Sequence, residues 1–168
     1  MAPTQPEHAL RTQDFPMTKQ IDPRGPQLAA GLTSVVLAVV LLTAPSTFAT
    51  VLIGLQAVLF AIGATLGVQR TPHAWLFRRV VRPRLAPPRE WEDAAPPRFA
   101  QAVGLAFAVV GFAGLALGAT AVGLVATGFA LVAALLNAVF GLCLGCEVYV
   151  LLKRTTTPRT SASTAATN

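Results

Sequence analysis

Cys143 and Cys146, the two cysteines of the chain, stand three positions apart in an apolar stretch near its end. Glu147 follows directly and is the only acidic residue inside a long apolar segment. A Cys-x-x-Cys pair can cycle between a dithiol and a disulfide or hold a persulfide, and a neighbouring carboxylate can move the proton. We therefore predict that Cys143, Cys146 and Glu147 are catalytic residues of a thiol reaction.

The reactivity of this pair depends on its place in a helix. Residues i and i+3 of a helix have Cβ atoms about 5 to 6 Å apart, whereas a disulfide needs about 4 Å. Local relaxation is therefore required, and Gly145 favours it. We expect the pair near the C-terminal end of the last span, where the helix dipole does not favour a thiolate. Activation then requires a helix restart after Gly141 or an arginine such as Arg70, Arg78 or Arg79.

Other interpretations of these three residues remain open. The cysteines can be small buried side chains without a role, and Glu147 can be an interfacial acid paired with an arginine. Two thiolates and a carboxylate could also bind zinc or copper(I), although His8 and His73 lack ligand spacing. We expect no cofactor and no metal, with Cys143, Cys146 and Glu147 as the alternative metal site.

The composition indicates a membrane protein. The 168 residues are 54% hydrophobic, and all 13 Lys and Arg lie outside the apolar blocks, in the two tails and a central loop. Basic segments stay in the cytoplasm, so both termini are predicted to be cytoplasmic. The basic loop lacks the pattern of a nucleic-acid reader, so no nucleic-acid partner is expected. The sequence predicts a multi-pass protein of the cytoplasmic membrane whose main partner is the lipid bilayer.

The apolar blocks predict an all-α fold of four transmembrane helices arranged as two tandem hairpins, because lipid leaves helix as the workable state. The expected organisation is a disordered tail over 1–21, a membrane domain over 22–154 with spans at 27–44, 48–68, 99–117 and 121–152 and a cytoplasmic loop at 69–98, and a disordered tail over 155–168. The fourth span is too long for one straight crossing, so it must tilt, break or run along the surface. Gly141 and Gly145 mark the expected bend.

Polar residues and glycines suggest how the helices pack. Gln56, Gln101 and Asn137 are predicted to make interhelical hydrogen bonds rather than to line a substrate path. Three small-xxx-small pairs predict close helix contacts: Gly63/Gly67, Gly114/Gly118 and Gly141/Gly145. The loop begins with an amphipathic stretch at 73–82, which is expected along the membrane surface with His73 solvated.

Several segments resemble a bacterial membrane family known as domain of unknown function 4395. The resemblance covers about residues 21–154 and rests on Asp22-Pro23-Arg24-Gly25-Pro26, the Phe77-Arg78-Arg79 to Arg82-Pro83-Arg84 loop, Ala95-Pro96-Pro97-Arg98-Phe99-Ala100-Gln101 and Phe140-Gly141-Leu142-Cys143-Leu144-Gly145-Cys146-Glu147. It implies a four-span protein whose relatives are often encoded near thioredoxin-like and rhodanese-like proteins, and no settled activity. Membrane proteins of the vitamin K epoxide reductase type are similar only in having Cys-x-x-Cys in a bundle, and this chain lacks their shuttle cysteines.

Three functions are consistent with these patterns. The first is a thiol-disulfide or sulfur-relay component that exchanges with a soluble thioredoxin-like or rhodanese-like protein. The second is a small transporter or carrier for a sulfur compound or a metal. The third is a non-catalytic membrane anchor that binds partners through residues 69–98.

Overall fold

The computed structural model describes residues 20–88 and 91–156, and this part of the chain is mostly α-helical. Its elements are β1 Gln20–Ile21, α1 Arg24–Thr43, α2 Thr47–Leu66, α3 Pro72–Leu76, β2 Glu92–Asp93, α4 Ala95–Ala116, α5 Thr120–Phe140 and α6 Leu144–Thr156. The predicted tails lie mainly outside the described residues. Their inner ends are structured, because β1 and the last turn of α6 fall within them.

Four helices, α1, α2, α4 and α5, are long and apolar enough to cross a membrane, with mean hydropathies between 1.9 and 2.2. Each has 20 to 22 residues, which at about 1.5 Å per residue spans roughly the 30 Å of a hydrocarbon core. The predicted all-α, four-span fold class is confirmed. The cytoplasmic location of the termini stays a prediction.

The four long helices form two hairpins packed into a ring. Helix α1 packs against α2 and α5, and α4 packs against the same two helices. The guanidinium of Arg98, at the start of α4, donates to the carbonyls of Ala64 and Thr65 at the end of α2, both at 2.7 Å. Gln27, at the start of α1, donates to the carbonyl of Ala138 at the end of α5. These four ends define the loop side of the bundle, and the turns at 44–46 and 117–119 define the turn side.

The fourth apolar segment, predicted as a span over 121–152 that must tilt, break or run along the surface, breaks into two helices. Helix α5 ends at Phe140, and Gly141 takes a left-handed conformation with φ 67°. The 13 residues of α6 extend only about 20 Å, too short to cross a bilayer. The break lies at Gly141, one of the two expected positions. Helix α6 then packs against α4, where Gly145 lies beside Ala100.

The segment between the hairpins is folded onto the loop side. Strands β1 and β2 pair antiparallel, with Gln20 opposite Asp93 and Ile21 opposite Glu92. The predicted amphipathic stretch at 73–82 is α3 followed by a π-helical turn, Phe77–Val81, and the start of a 3-10 turn. Phe77 is buried in contact with Gly25 of α1, so this stretch is attached to the bundle.

In each of the three predicted glycine pairs, the two glycines have different roles. One member of each pair packs closely against another helix: Gly63 beside Gln101, Gly114 beside Gly123 and Gly145 beside Ala100. The other member has a positive φ and follows the end of a helix: Gly67, Gly118 and Gly141. Close contacts therefore form, but no pair is a continuous packing stripe, because one glycine of each pair lies at a helix end instead.

Candidate functional site: a disulfide at a helix N-terminus

Cys143 occupies the N-cap position of α6. Its Sγ accepts a hydrogen bond from the backbone N–H of Cys146 at 3.3 Å, and its carbonyl accepts one from the N–H of Glu147 at 3.0 Å. Capping side chains usually accept this bond through an oxygen. The expectation that the pair lies near a C-terminal helix end is wrong, because the chain breaks at Gly141 and starts a new helix. This restart is one of the two sources of activation that the sequence suggested.

The sulfurs of Cys143 and Cys146 form a disulfide, with the two Cα atoms 5.1 Å apart. Cys143 precedes the first helical residue, Leu144, so its backbone is free of the regular helical spacing. This position supplies the relaxation that an i, i+3 pair needs to be bridged. Both cysteines are only half-buried, so a reactant can approach them.

A cavity of about 450 Å³ lies between α1, α4 and α5 on the loop side, and the disulfide forms part of its wall. About half of the lining residues are alanine, glycine or phenylalanine, including Phe60, Phe107 and Phe129. Five polar side chains also line it: Gln27, Thr33, Glu92, Gln101 and Asn137. This volume lies within the range of about 300 to 1,000 Å³ that is typical of small-molecule pockets. The disulfide therefore faces a chamber large enough for a reactant.

Glu147 does not join the two cysteines in the cavity wall. Its side chain is exposed in the first turn of α6, where a carboxylate interacts favourably with the helix dipole. The structure thus brings together two of the three predicted catalytic residues and places the third on the outer face of the same turn.

The alternative metal site needs both thiolates, but the two sulfurs are bonded to each other. Within residues 20–88 and 91–156, no group of three His, Cys, Asp or Glu side chains is placed to hold a metal ion.

Residues 21–154 match the family model described as a domain of unknown function, DUF4395. The chain belongs to this family. Neither a search of curated proteins nor a search of solved structures finds a match. The DUF4395 description assigns no activity, and the geometry of the site is what indicates a function.

The arginines proposed as activators lie elsewhere in this DUF4395 bundle. Arg78 donates to the carbonyl of Gln69 at 3.0 Å, and the Arg79 guanidinium lies 5.9 Å from the ring centre of Trp75. Among the described residues that line the disulfide cavity there is no arginine. The N-terminus of α6 is therefore the group that favours negative charge on Cys143.

A second cavity, of about 270 Å³, lies between α1, α2 and the loop, and it shares Pro26, Ala29, Thr33 and Gln101 with the first. Gln56 lines it and is 2% exposed. Its Nε2 donates to Oγ1 of Thr33 at 3.4 Å, which is the predicted interhelical bond, but its Oε1 has no partner among the described residues. Gln101 and Asn137 line the disulfide cavity, a role that the sequence had ranked second.

His73 also lines the second cavity and is half-buried, which corrects the expectation that it is solvated. Burial lowers its pKa, because desolvation disfavours the charged imidazolium.

Some of these features had a signal in the sequence and some did not. A helix end followed by a helix start has a recognisable pattern: a glycine, then a small residue that can accept a hydrogen bond, then an acid in the next turn. Gly141, Cys143 and Glu147 fit that pattern, although cysteine is an unusual cap. No sequence pattern indicates that Oε1 of Gln56 lacks a partner among the described residues, because its hydrogen bonding depends on which helix packs against α2.

Proposed function

We propose that this protein is a membrane thiol-disulfide component in which Cys143 and Cys146 alternate between a disulfide and a dithiol. The observation that carries the proposal is the disulfide at the N-terminus of α6, in the wall of a 450 Å³ cavity. A purely structural disulfide between residues 143 and 146 would stabilise the fold little, because a loop this short has little entropy in the unfolded chain for the cross-link to remove.

In the reduced state, the helix N-terminus favours a thiolate on Cys143. That thiolate attacks one sulfur of a partner disulfide, forms a mixed disulfide and releases the partner's other sulfur as a thiolate. Cys146 then loses its proton and attacks the sulfur of Cys143, which restores the protein disulfide and releases the second partner thiolate. Two electrons pass to the partner, and the same steps in reverse reduce the protein.

Glu147 is the proposed proton acceptor for Cys146. Its exposed carboxylate lies on the same helical turn, so the proton moves through water on the outer face of α6. We expect Glu147→Gln to slow thiol exchange near neutral pH and to leave the midpoint potential of the pair unchanged. A shift of that potential with no change in rate would contradict this role.

The proposed partner is a soluble thioredoxin-like or rhodanese-like protein. The chain has two cysteines only, so it cannot pass electrons to a second internal pair and needs an external thiol. The basic residues favour a cytoplasmic loop side in the cytoplasmic membrane, and the disulfide lies on that side. We therefore place the exchange at the cytoplasmic surface.

A redox gel shift tests the chemistry. Membranes are acid-quenched and labelled with a polymer-linked maleimide, with and without prior reduction. We expect two added labels only after reduction, and one label without reduction in Cys143→Ser or Cys146→Ser. Equal labelling of the wild type under oxidising and reducing conditions would falsify the proposal.

Topology needs its own control. Ala119 lies exposed in the turn-side connection, so Ala119→Cys in a Cys143→Ser/Cys146→Ser background places one thiol opposite the loop side. An impermeant maleimide added to intact cells should label this cysteine and leave reduced wild-type cysteines unlabelled. The reverse pattern would place the disulfide outside.

The partner can be captured by stopping the reaction half-way. With Cys146→Ser, the mixed disulfide on Cys143 cannot be resolved and should accumulate as a reducible adduct. Cys143→Ser should trap much less, and Cys143→Ser/Cys146→Ser none. Equal adducts from both single variants would remove the assignment of Cys143 as the attacking thiol.

A carrier for a small sulfur compound is a second candidate, which the cavity itself favours because it lies inside the bundle. Uptake of a labelled sulfur compound or metal by proteoliposomes would support it, whereas a redox component moves nothing. The non-catalytic anchor makes the opposite prediction for the cysteines: the Cys143→Ser/Cys146→Ser variant should behave like wild type in cells.

A further inference from the structure

The second cavity has polar groups at two opposite ends and apolar walls between them. Gln56 lies at its inner end, near the middle of α2, and Arg78 and Arg82 lie at its loop end. Ala29 of α1 and Leu59 of α2, about one helical turn closer to the loop side than Gln56, contribute apolar surface in between. From these features we infer that this cavity binds a small anionic amphiphile whose far end carries a hydroxyl or N–H group.

The inner end requires a hydrogen-bond donor. Gln56 is 2% exposed, and its Oε1 has no partner in the described part of the chain. A buried carbonyl oxygen without a bond is unfavourable by about 1 to 3 kcal/mol, so such groups in native proteins usually face a ligand or water. An O–H or N–H that reaches this oxygen completes its bonding.

The loop end favours a negative charge. Arg78 uses one N–H on the carbonyl of Gln69, and Arg82 places its guanidinium 5.8 Å from the ring centre of Trp91. Stacking on an aromatic face leaves the edge N–H groups of a guanidinium free to bind a carboxylate or phosphate. Asp22 also lines the cavity, so the two arginines leave one net positive charge at this end.

The size of the cavity limits the ligand. At about 270 Å³, it falls just below the range of about 300 to 1,000 Å³ for drug-sized ligands. A single short chain fits this space better than a two-chain phospholipid. The anionic group can belong to a free acid, or to a lipid headgroup that reaches the arginines from the bilayer.

The test uses the full chain in nanodiscs of zwitterionic lipid. Trp91 lines the cavity, and the only other tryptophan, Trp75, stacks with Arg79 outside it. Trp75→Phe therefore leaves one reporter at the site. Three probes are titrated against Trp91 fluorescence: 8-hydroxyoctanoate, octanoate, which lacks the donor, and 1,8-octanediol, which lacks the anion.

We expect 8-hydroxyoctanoate to bind about tenfold more tightly than either of the other probes. Gln56→Leu should remove its advantage over octanoate, and Arg78→Gln/Arg82→Gln should remove its advantage over 1,8-octanediol. Arg84→Gln is the matched control, because Arg84 belongs to the same loop but does not line the cavity. Equal affinity for all three probes, or no saturable response, would overturn the inference and leave a water-filled pocket.

Two further arms identify the source of the anion and separate this site from the disulfide. If nanodiscs with anionic lipid weaken 8-hydroxyoctanoate binding about tenfold, a lipid headgroup is the natural anion, and unchanged binding assigns a free acid. The Cys143→Ser/Cys146→Ser variant should bind all probes as wild type does. If Gln56→Leu fails to fold, the arginine variant still tests the inference: Arg78→Gln/Arg82→Gln should bind 8-hydroxyoctanoate no more tightly than 1,8-octanediol.

Discussion

The two hairpins end in the same way on the loop side, but with different chemistry. Helix α2 is followed by Gly67 with a positive φ, and the Thr71 hydroxyl caps the next helix by accepting the N–H of Ala74 at 3.3 Å. Helix α5 is followed by Gly141, and the Cys143 sulfur caps the next helix at the same distance. One hairpin thus uses a hydroxyl where the other uses a sulfur that can be oxidised.

The hairpins also differ in how their own helices approach each other. In the second hairpin, Gly114 of α4 lies against the backbone of Gly123 of α5 near the turn side. In the first hairpin, Gly31 and Gly54 face the other hairpin instead: Gly31 lies beside Ala138 of α5, and Gly54 lies beside Phe112 of α4. The second hairpin is therefore closed at its turn side, and its space opens toward the loop side, where the disulfide cavity lies.

The largest expected effect comes from separating the second hairpin at its glycine contact. A Cβ on residue 114 would lie 2.5 Å from the backbone nitrogen of Gly123, and backbone cannot move aside as a flexible side chain can. We expect Gly114→Ala to destabilise the protein by about 3 kcal/mol, measured by unfolding in mixed micelles. Gly128→Ala in α5 is the control, since a Cβ there has nothing within 4 Å. Equal effects of the two variants would show that the contact is loose.

The two glycines that end the hairpins should respond differently to alanine. Gly67 has φ 95° and ψ 148°, a region that only glycine readily adopts, so Gly67→Ala should cost about 2 kcal/mol. Gly141 is left-handed, with φ 67° and ψ 12°, so Gly141→Ala should cost about 1 kcal/mol. Asparagine tolerates the left-handed region, so Gly141→Asn should recover part of the loss and Gly67→Asn should not. The same micelle unfolding assay ranks all four variants.

The caps give a more direct test of the comparison. Thr71→Ala should lower stability by about 1 kcal/mol, and Thr71→Ser should be close to neutral. For the sulfur cap, the disulfide must first be removed, so both variants carry Cys146→Ala. Cys143→Ser should then be more stable than Cys143→Ala by about 1 kcal/mol. If these two double variants unfold together, residue 143 does not cap α6 and the parallel between the hairpins fails.

The smallest effect is a pH dependence confined to the end of the first hairpin. Burial lowers the pKa of His73, so the folded protein takes up this proton at a lower pH than the unfolded chain, whose histidine pKa is about 6.5. Above that value both states are neutral and nothing changes. As the pH falls below it, the unfolded state is protonated first and stability decreases. His73→Gln should reduce this loss of stability at acidic pH, measured as the free energy of unfolding against pH. An unchanged pH dependence would show that His73 is accessible to water in the fold.

The four spans could be predicted from the sequence because length, hydropathy and the exclusion of charge define them within one segment. The break at Gly141 was one of two expected positions. The choice between Gly141 and Gly145 depended on packing, because Gly145 is needed against Ala100 while a Cβ at residue 141 would meet nothing within 4 Å. Local patterns do not contain that information.

The candidate site was predictable in its residues but not in its electrostatics. Spacing identified Cys143 and Cys146, yet the thiol pair was expected at the wrong end of a helix, since cysteine is rarely read as a cap. Glu147 was chosen by adjacency, and one residue of helical rotation placed it on the outer face. Gln56 was predicted to make an interhelical hydrogen bond, but only the arrangement of α1 beside α2 shows that its Nε2 is bonded while its Oε1 has no partner among the described residues.

The two-residue ladder between Gln20–Ile21 and Glu92–Asp93 joins the beginning of one hairpin to the beginning of the other. The bonds from Arg98 to the end of α2 join the hairpins as well. The two hairpins are therefore held together by hydrogen bonds in addition to the chain that links them. A protease cut in the exposed stretch around Leu85 should therefore leave a nicked but assembled protein. The halves, produced as separate polypeptides, should reassociate in the membrane and rebuild both cavities.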